Sequence, residues 1–225
     1  MTKKIELVIF DCDGVLVDSE PLSAAAHQKV YARHGHELDL RLMFSCIGMK
    51  QRDILEKINR ETGFLLPEHA IPEIWQEAEQ AIRDGLQPTK GIAEFLRSLK
   101  CKTCVASSST PERIALSLQT AGLAELFPKD MVFSTTMVKH GKPAPDLFLY
   151  AAKQAGLAPD RCIVIEDSPY GVQGAVAAHM PVFGYVGGSH SHVEHGPKLT
   201  AAGATGLFSS WKDLPALLAE HDLQL

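Results

Sequence analysis

The chain has 225 residues, of which 45% are hydrophobic and 22% are charged, and its formal net charge at pH 7 is −5. This length and balance are typical of a globular protein with one large domain, or with one domain that carries a smaller insert. The negative charge, with no basic block to offset it, argues against a nucleic-acid partner. No segment has the character of a signal peptide or a membrane span, so we expect no membrane association and a cytoplasmic location.

The five cysteines are scattered and odd in number, which argues against a disulfide framework. Cys101 and Cys104 form a CxxC pair, a spacing used for zinc binding and redox chemistry. No second pair accompanies them, and they lead into an apolar strand, so we expect structural thiols.

Short apolar, β-branched segments predict buried parallel strands at 5–10, 103–106, 131–133, 162–165 and 181–186. Helical patterns alternate with them at 92–99, 110–122, 145–155 and 169–178. Thr110-Pro111 provides a helix start, and Gly122 provides the matching stop. This alternation predicts an α/β fold with a parallel sheet covered by helices on both faces.

The segment from residue 20 to residue 87 interrupts this alternation. It has no strand pattern, and amphipathic helical patterns such as Ile54, Leu55 and Ile58 run through it. Ser19, followed by Glu20 and a proline, provides a helix start. We therefore expect an all-helical insert at 19–87 and an α/β core built from 1–18 and 88–225.

Polar residues follow the predicted strands at their carboxyl ends, where open parallel sheets bind ligands. In chain order they are Asp11 and Asp13, then Ser107 and Ser108, then Lys142 in the loop after the third strand, then Glu166 and Asp167. Each feature alone is typical of an ordinary loop or helix cap. Together, in this order, they predict a single site.

The residue types at these strand ends indicate the chemistry. A carboxylate cluster in a cleft is electrostatically costly unless a cation neutralises it. Oxygen ligands of this kind suit Mg²⁺, which commonly takes a substrate phosphate oxygen as well. Hydroxyls and N–H groups at a helix start bind anions, and a lysine adds the positive charge that a phosphoryl group requires. The sequence thus predicts a site for phosphate and Mg²⁺.

These motifs resemble those of the haloacid dehalogenase-like hydrolases. They are the segments 11–19 (DCDGVLVDS), 105–107 (VAS), 141–146 (GKPAPD) and 165–168 (IEDS). The position of the insert resembles the subgroup with a helical cap between the first and second motifs, which includes β-phosphoglucomutase and many small phosphatases. The resemblance implies a doubly wound, Rossmann-like core, a mobile cap that closes over the site, and an aspartyl-phosphate intermediate.

The resemblance also implies roles for the two aspartates of the first motif. Asp11 would attack phosphorus and contact Mg²⁺. Asp13 would protonate the leaving alkoxide, then activate the water that hydrolyses the intermediate, and would bind the metal through its backbone carbonyl. To be protonated when substrate arrives, Asp13 needs a pKa raised relative to that of Asp11.

The other motif residues would bind the phosphoryl group and the metal, again by resemblance. Ser107 would hydrogen-bond the phosphoryl oxygens, and Lys142 would neutralise the charge that they share with Asp11. Asp167 would hold the metal directly, and Glu166 would do so either directly or through a water.

Asp13 separates the candidate reactions. Displacing a halide from carbon needs no acid, so dehalogenation is not expected. The family's mutases use cap and core residues to favour a sugar hydroxyl over water, and the aligned positions differ here at Ser23, Gln51 and Pro111. We therefore expect hydrolysis, with β-phosphoglucomutase activity as an alternative. A non-catalytic sugar-phosphate sensor would have a damaged nucleophile, whereas Asp11 is intact.

The size of the cap predicts a small phosphorylated metabolite as the partner. Sugar phosphates and phosphorylated sugar acids come first, and phosphoglycolate second. Ser108, with Gly48 and Lys50 of the cap, is expected to bind substrate, and Lys50 would suit a carboxylate such as that of 6-phosphogluconate. We expect a monomer or a weak homodimer.

Histidines recur in one late loop, at His190, His192 and His195. Such a loop can bind transition metals, but it has no partner ligands in the sequence, so we expect a solvated loop near the mouth of the site. We expect His27 on the surface or in packing, and Trp75 as a packing residue.

Overall fold

The computed structural model describes residues 2–47, 49 and 51–225. In this part of the chain, strands β1 to β8 occupy Lys3–Lys4, Leu7–Phe10, Lys102–Ser107, Val132–Ser134, Cys162–Glu166, Val182–Tyr185, Gly206–Phe208 and Leu223–Gln224. Helices α1 to α10 occupy Glu20–Arg33, Leu40–Phe44, Gln51–Thr62, Ile71–Gly85, Ile92–Ser98, Pro111–Thr120, Asp146–Gln154, Pro169–Ala177, His195–Ala202 and Leu214–Glu220.

Strands β2 to β7 form one parallel sheet in the order β4-β3-β2-β5-β6-β7. The chain begins in the middle at β2, moves outward through β3 and β4, and returns to build the other half from β5, which confirms a doubly wound α/β fold. Phe10 pairs with both Val105 and Ile165. Residues 11, 106 and 166 are therefore level with one another at the carboxyl edge of the sheet.

The central strand is buried on both faces. Val8 and Phe10 belong to one hydrophobic cluster, and Leu7 and Ile9 belong to the other. This two-sided burial is the reason that β2 is a continuous apolar run and not an alternating one.

The strand predicted at 5–10 is shorter in the structure, because the residues before it pair elsewhere. Lys3–Lys4 forms a separate parallel pair with Leu223–Gln224, and β2 begins at Leu7. Strands β1, β7 and β8 were not predicted, since segments of two or three residues are too short to show a pattern.

The predicted start and stop of helix α6 are confirmed. The Thr110 side chain accepts the backbone N–H of Arg113, and Gly122 adopts the left-handed conformation with φ +68°. Helix α6 therefore begins shortly after Ser107, the last residue of β3, and Ser108.

Helices α1 to α4 form the insert, as predicted. Their buried side chains, among them Val30, Tyr31 and Ile58, make a third hydrophobic cluster separate from those of the sheet. The segments that enter and leave the insert lie side by side, since the N–H of Asp18 donates to the carbonyl of Gln87 at 3.0 Å. This pairing supports the boundaries 1–18, 19–87 and 88–225, which stay a prediction.

The cysteines form no disulfide within the described part of the chain. All five cysteines are free thiols, and Cys104 is buried within β3. Among the helices that the structure describes, none combines the length and the apolar character needed to cross a bilayer.

Candidate active site

Asp11 and Lys142 lie at the centre of the site. The backbone N–H of Asp11 donates to the carbonyl of Ile165 at 3.0 Å, which places this side chain at the edge of the sheet. Lys142 comes from the loop between β4 and α7, and its Nζ lies 2.6 Å from Oδ1 of Asp11 and 2.5 Å from Oε1 of Glu166. All three charged side chains are buried. The structure thus brings together three residues that the sequence predicted as one site.

The two carboxylates keep Lys142 charged. Burial by itself lowers the pKa of Lys142, but attraction to Asp11 and Glu166 outweighs it and holds that pKa above its usual range. A permanent positive charge therefore lies against the candidate nucleophile, where a phosphoryl group would bring negative charge.

Asp11, Glu166 and Asp167 form a compact acidic cluster, with one oxygen of each within 4.8 Å of the others. Burial, the largest cause, and repulsion from the neighbouring carboxylates raise the pKa of Asp11 and of Asp167 well above the usual range, although Lys142 opposes both shifts. Buried carboxylates this close cannot all ionise unless a further cation joins Lys142.

The oxygens open to such a cation belong to Asp11 and Asp167. The Glu166 carboxylate is already engaged, because Oε2 accepts two backbone N–H groups and the Ser168 hydroxyl at 3.0–3.1 Å while Oε1 accepts from Lys142. Oδ2 of Asp167 is buried, and although Nε2 of His190 lies 3.0 Å away, this oxygen accepts no hydrogen bond within the described part of the chain. This all-oxygen donor set fits Mg²⁺.

The serines that end β3 line the space in front of Asp11. Ser107 is buried, and its Oγ accepts the backbone N–H of Ser109 at 3.0 Å. Ser107 and Ser108 line the same cavity as Asp11 and precede the N-terminus of α6. Hydroxyls and a helix N-terminus together can bind the oxygens of a phosphoryl group.

Asp13 is held by three donors. Its carboxylate accepts from Ser19 Oγ and Ser109 Oγ, each at 2.6 Å, and from a guanidinium nitrogen of Arg113 at 3.2 Å. Burial acts to raise the pKa of Asp13, but Arg113 and these hydrogen bonds outweigh it, so the net shift is downward. The expectation that the pKa of Asp13 lies above that of Asp11 is therefore wrong for this arrangement, because partners 6 and 96–100 residues away hold its charged form.

Gly14 makes close packing possible beneath Asp167. Its φ is +77°, and a Cβ at this position would lie 1.8 Å from Oδ2 of Asp167. Only glycine combines this backbone conformation with the space that the carboxylate needs.

Two histidines of the 187–195 loop are buried against Asp167, so the prediction of a solvated loop is wrong for them. Nε2 of His190 lies 3.0 Å from Oδ2 of Asp167. Nε2 of His195 lies 2.5 Å from the Asp167 carbonyl, and Nδ1 lies 2.7 Å from Ser191 Oγ. His192 is exposed, as expected. The loop folds inward because it packs on the acidic edge of the sheet, a contact that local sequence patterns do not report.

A cavity of about 860 Å³ extends from these residues to the cap. Its cap wall is largely apolar and includes Ile54, Ile71, Ile74, Trp75 and Ala78. This volume is that of a pocket for a small molecule and leaves room for an organic group beside a phosphoryl group.

The cap contributes further residues to the cavity wall. Trp75, expected only to pack, lines the cavity, and so do Ser23 and Gln51. His27 is buried and also lines the cavity, where its Nδ1 lies 2.8 Å from the Ser23 carbonyl. The predicted substrate-binding residues Gly48 and Lys50 lie outside the described residues.

Arg113 and Glu20 are cavity residues that the sequence reasoning missed. Arg113 is the third residue of α6, and Glu20 is the first residue of α1. Their position in the first turn of helices that begin at the site is the signal that could have found them, since such side chains lie beside the strand end that precedes the helix.

The doubly wound sheet, the buried lysine against an acidic cluster and a helix N-terminus beside two serines are the features expected of an enzyme that acts on phosphate esters. A model of the haloacid dehalogenase-like hydrolase family matches residues 5–179. The chain belongs to this family, and it is a phosphoric monoester hydrolase.

Individual proteins align over nearly the whole chain. A 6-phosphogluconate phosphatase from Escherichia coli is 29% identical over 216 residues, which cover 95% of each chain. A haloacid dehalogenase-like protein of unknown function from Agrobacterium tumefaciens is 33% identical, with a TM-score of 0.87 and coverage of 96% of this chain and 99% of that one. A putative β-phosphoglucomutase from Thermotoga maritima is 27% identical, with a TM-score of 0.74 and coverage of 96% and 99%.

Proposed function

We propose that the protein is a Mg²⁺-dependent phosphatase that hydrolyses a small phosphate monoester through an aspartyl-phosphate intermediate. The observation that carries the proposal is the contact of Lys142 with Asp11, inside an acidic cluster that opens into a cavity of small-molecule size. This arrangement supplies a nucleophile, a fixed positive charge and a place for the organic part of a substrate.

In the first step a carboxylate oxygen of Asp11 attacks phosphorus, and the bond from phosphorus to the ester oxygen breaks. The leaving oxygen takes a proton from Asp13. Lys142, Ser107 and Ser108 bind the phosphoryl oxygens while their charge is redistributed. In the second step water attacks phosphorus, Asp13 takes its proton, and the bond to Asp11 breaks to release inorganic phosphate.

The partners of Asp13 favour its role as a base in the second step, whereas its role as an acid in the first step requires a change in these contacts. Held by Ser19, Ser109 and Arg113, its carboxylate is ionised, which is the form that accepts a proton from water. To donate a proton in the first step, Asp13 has to lose part of these hydrogen bonds. Arg113 contacts Trp75 of the cap, and Ser19 is itself the first residue of the predicted insert, so both partners are linked to the cap.

Asp11, Asp167 and the backbone carbonyl of Asp13 would hold Mg²⁺, and Glu166 would act through Lys142 and not as a direct ligand. When bound, Mg²⁺ neutralises the charge that the carboxylates share with the phosphoryl oxygens. Oδ2 of Asp167, buried and without a hydrogen bond within the described residues, supports this assignment.

For the substrate we propose a sugar phosphate or a phosphorylated sugar acid such as 6-phosphogluconate, with phosphoglycolate second and the cytoplasm as the compartment. Support comes from the cavity volume and from the similarity to the Escherichia coli 6-phosphogluconate phosphatase. Ser23, Gln51 and Pro111, which differ from the mutase pattern, favour water over a sugar hydroxyl as the acceptor.

The test is phosphate release from a panel of phosphorylated metabolites with Mg²⁺ or with a chelator, using wild type and Asp11→Asn. We expect turnover that requires both Mg²⁺ and Asp11. Conversion of β-glucose 1-phosphate to glucose 6-phosphate without phosphate release would establish a mutase instead. Binding of sugar phosphates without any turnover would establish a sensor.

The intermediate has its own test. Acid quenching during turnover, followed by mass spectrometry, should find a phosphoryl group on the peptide that contains Asp11, and Asp11→Asn should abolish it. Rapid turnover with an unmodified Asp11 peptide at every quench time would argue for direct attack by water.

A further inference from the structure

Arg113 occupies an unusual position between core and cap. It belongs to α6 of the core, and its side chain is only 19% exposed. Its guanidinium contacts Asp13 on one side and lies over the ring of Trp75, from cap helix α4, with 5.9 Å between the guanidinium carbon and the ring centroid. It therefore faces the part of the cavity that holds the organic group of a substrate, on the cap side of Asp13.

The guanidinium retains donors for a ligand. Of its five N–H groups, only one makes a side-chain hydrogen bond within the described part of the chain, to Asp13 at 3.2 Å. Its Nε is buried and has no partner among the described residues. A buried donor without an acceptor is costly, so this face is prepared for an acceptor that arrives with a ligand.

The other described cations that line the cavity either form buried ion pairs already or are exposed to water. Lys142 is bound by Asp11 and Glu166. The side chain of Arg52 is 85% exposed and pairs with Glu56 of its own helix at 2.8 Å. Arg113 is thus the buried cation with free donors, and stacking on Trp75 sets the plane in which these donors lie.

We propose that Arg113 forms a subsite for a carboxylate on the organic part of the substrate. The planar guanidinium matches a carboxylate in shape and charge, and neither Lys142 nor Arg52 offers such a group in a desolvated position. The inference rests on the proposed function and deepens it, because it selects phosphorylated sugar acids over neutral sugar phosphates. Arg113 becomes the residue that determines this preference.

The experiment separates binding from turnover. In the background of Asp11→Asn with Mg²⁺, calorimetry measures the Kd of 6-phosphogluconate and of sorbitol 6-phosphate, which differ only by a carboxylate in place of a hydroxymethyl group. With Arg113 present, we expect the acid to bind about 10-fold to 100-fold more tightly. Arg113→Gln should reduce the ratio to near one, and Arg113→Lys should keep part of it.

Arg52→Gln is the matched control, since it removes a cavity cation that is exposed and paired, and it should leave the ratio unchanged. The proposal is overturned if the ratio is near one with Arg113 present, if Arg113→Gln weakens both ligands by the same factor, or if Lys50→Ala and not Arg113→Gln abolishes the preference. Melting temperatures show that each variant is folded. Failure of the proposed function is a separate result, namely no phosphate release by the wild-type enzyme from either compound.

Discussion

Nζ of Lys142 lies 2.6 Å from Oδ1 of Asp11, and both groups are buried. The same Nζ contacts Glu166, so one ammonium group compensates two carboxylates in a low-dielectric site. Removing it leaves two buried charges without their partner, which is far more costly than the pair itself is stabilising.

Lys142→Met is therefore expected to lower kcat at least about 10²-fold, because the phosphoryl charge loses its compensation. It should also lower the free energy of unfolding by about 3 kcal/mol in chelator, measured by urea denaturation. Lys139→Met, at an exposed position in the same loop, should change neither quantity. Equal stability of Lys142→Met and wild type would contradict the buried ion pairs.

Gly14→Ala tests the packing beneath Asp167. Its new Cβ would lie 1.8 Å from Oδ2 of Asp167, so the carboxylate has to move, and we expect kcat/KM to fall about 10²-fold or more. Gly35→Ala is the control, because Gly35 has a similar φ of +84° but nothing within 4 Å of the added Cβ. Both variants should lose about 1–2 kcal/mol from backbone strain alone, and only Gly14→Ala should lose activity.

His195→Ala tests the loop that packs against Asp167. His195 contacts the Asp167 carbonyl, and a substitution should leave the segment that we propose to bind Mg²⁺ less well ordered. We expect the Mg²⁺ concentration for half-maximal activity, and that for the half-maximal rise in melting temperature, to increase about 10-fold or more. His192→Ala removes an exposed histidine from the same loop and should change neither. Identical Mg²⁺ titrations for the two variants would mean that His195 only fills space.

Glu20 provides a pH dependence of stability. Burial, together with repulsion from Asp167 and Asp13, raises the pKa of Glu20 from its ordinary 4.5 to about 8. Between these values the unfolded chain has released a proton that the folded protein retains, so the stability linked to this proton is lost as pH rises from about 5 to 8.

Glu20→Gln removes this loss. The measured quantity is the free energy of unfolding of the variant minus that of wild type, determined in chelator at two pH values. This difference should be at least about 1 kcal/mol larger at pH 8.5 than at pH 5. This free energy is well below the value that the full pKa shift would give, because Glu20 is only partly buried and water screens its charge. The exposed Glu61→Gln should show no such pH-dependent difference. If the gain for Glu20→Gln were the same at both pH values, Glu20 would not titrate in this range.

The four strand-end motifs could be predicted from the sequence because each is local. An apolar run long enough to be buried predicts its strand, and the residue after the strand must then lie at the carboxyl edge of the sheet. Asp11, Ser107 and Asp167 follow from this rule, and Lys142, which lies further along the loop after β4, follows from the family resemblance. Thr110 and Gly122 mark the ends of α6 by capping chemistry alone.

Tertiary structure decided what those residues contact. Arg113 reaches Asp13 across 100 positions of sequence and, with Ser19 and Ser109, lowers the pKa of Asp13. Burial raises the pKa of Asp11, so the order of the two pKa values is the reverse of the expected one. His190 and His195 turned inward, and Trp75 came to face the cavity, because a second element packs against each of them. The sequence by itself therefore determined the fold, the class of reaction and the choice of Asp11 as the proposed nucleophile, which depend on local patterns and chain order. The protonation of Asp13, the support of Asp167 and the recognition of the substrate depend on burial and long-range contacts, which only the folded chain defines.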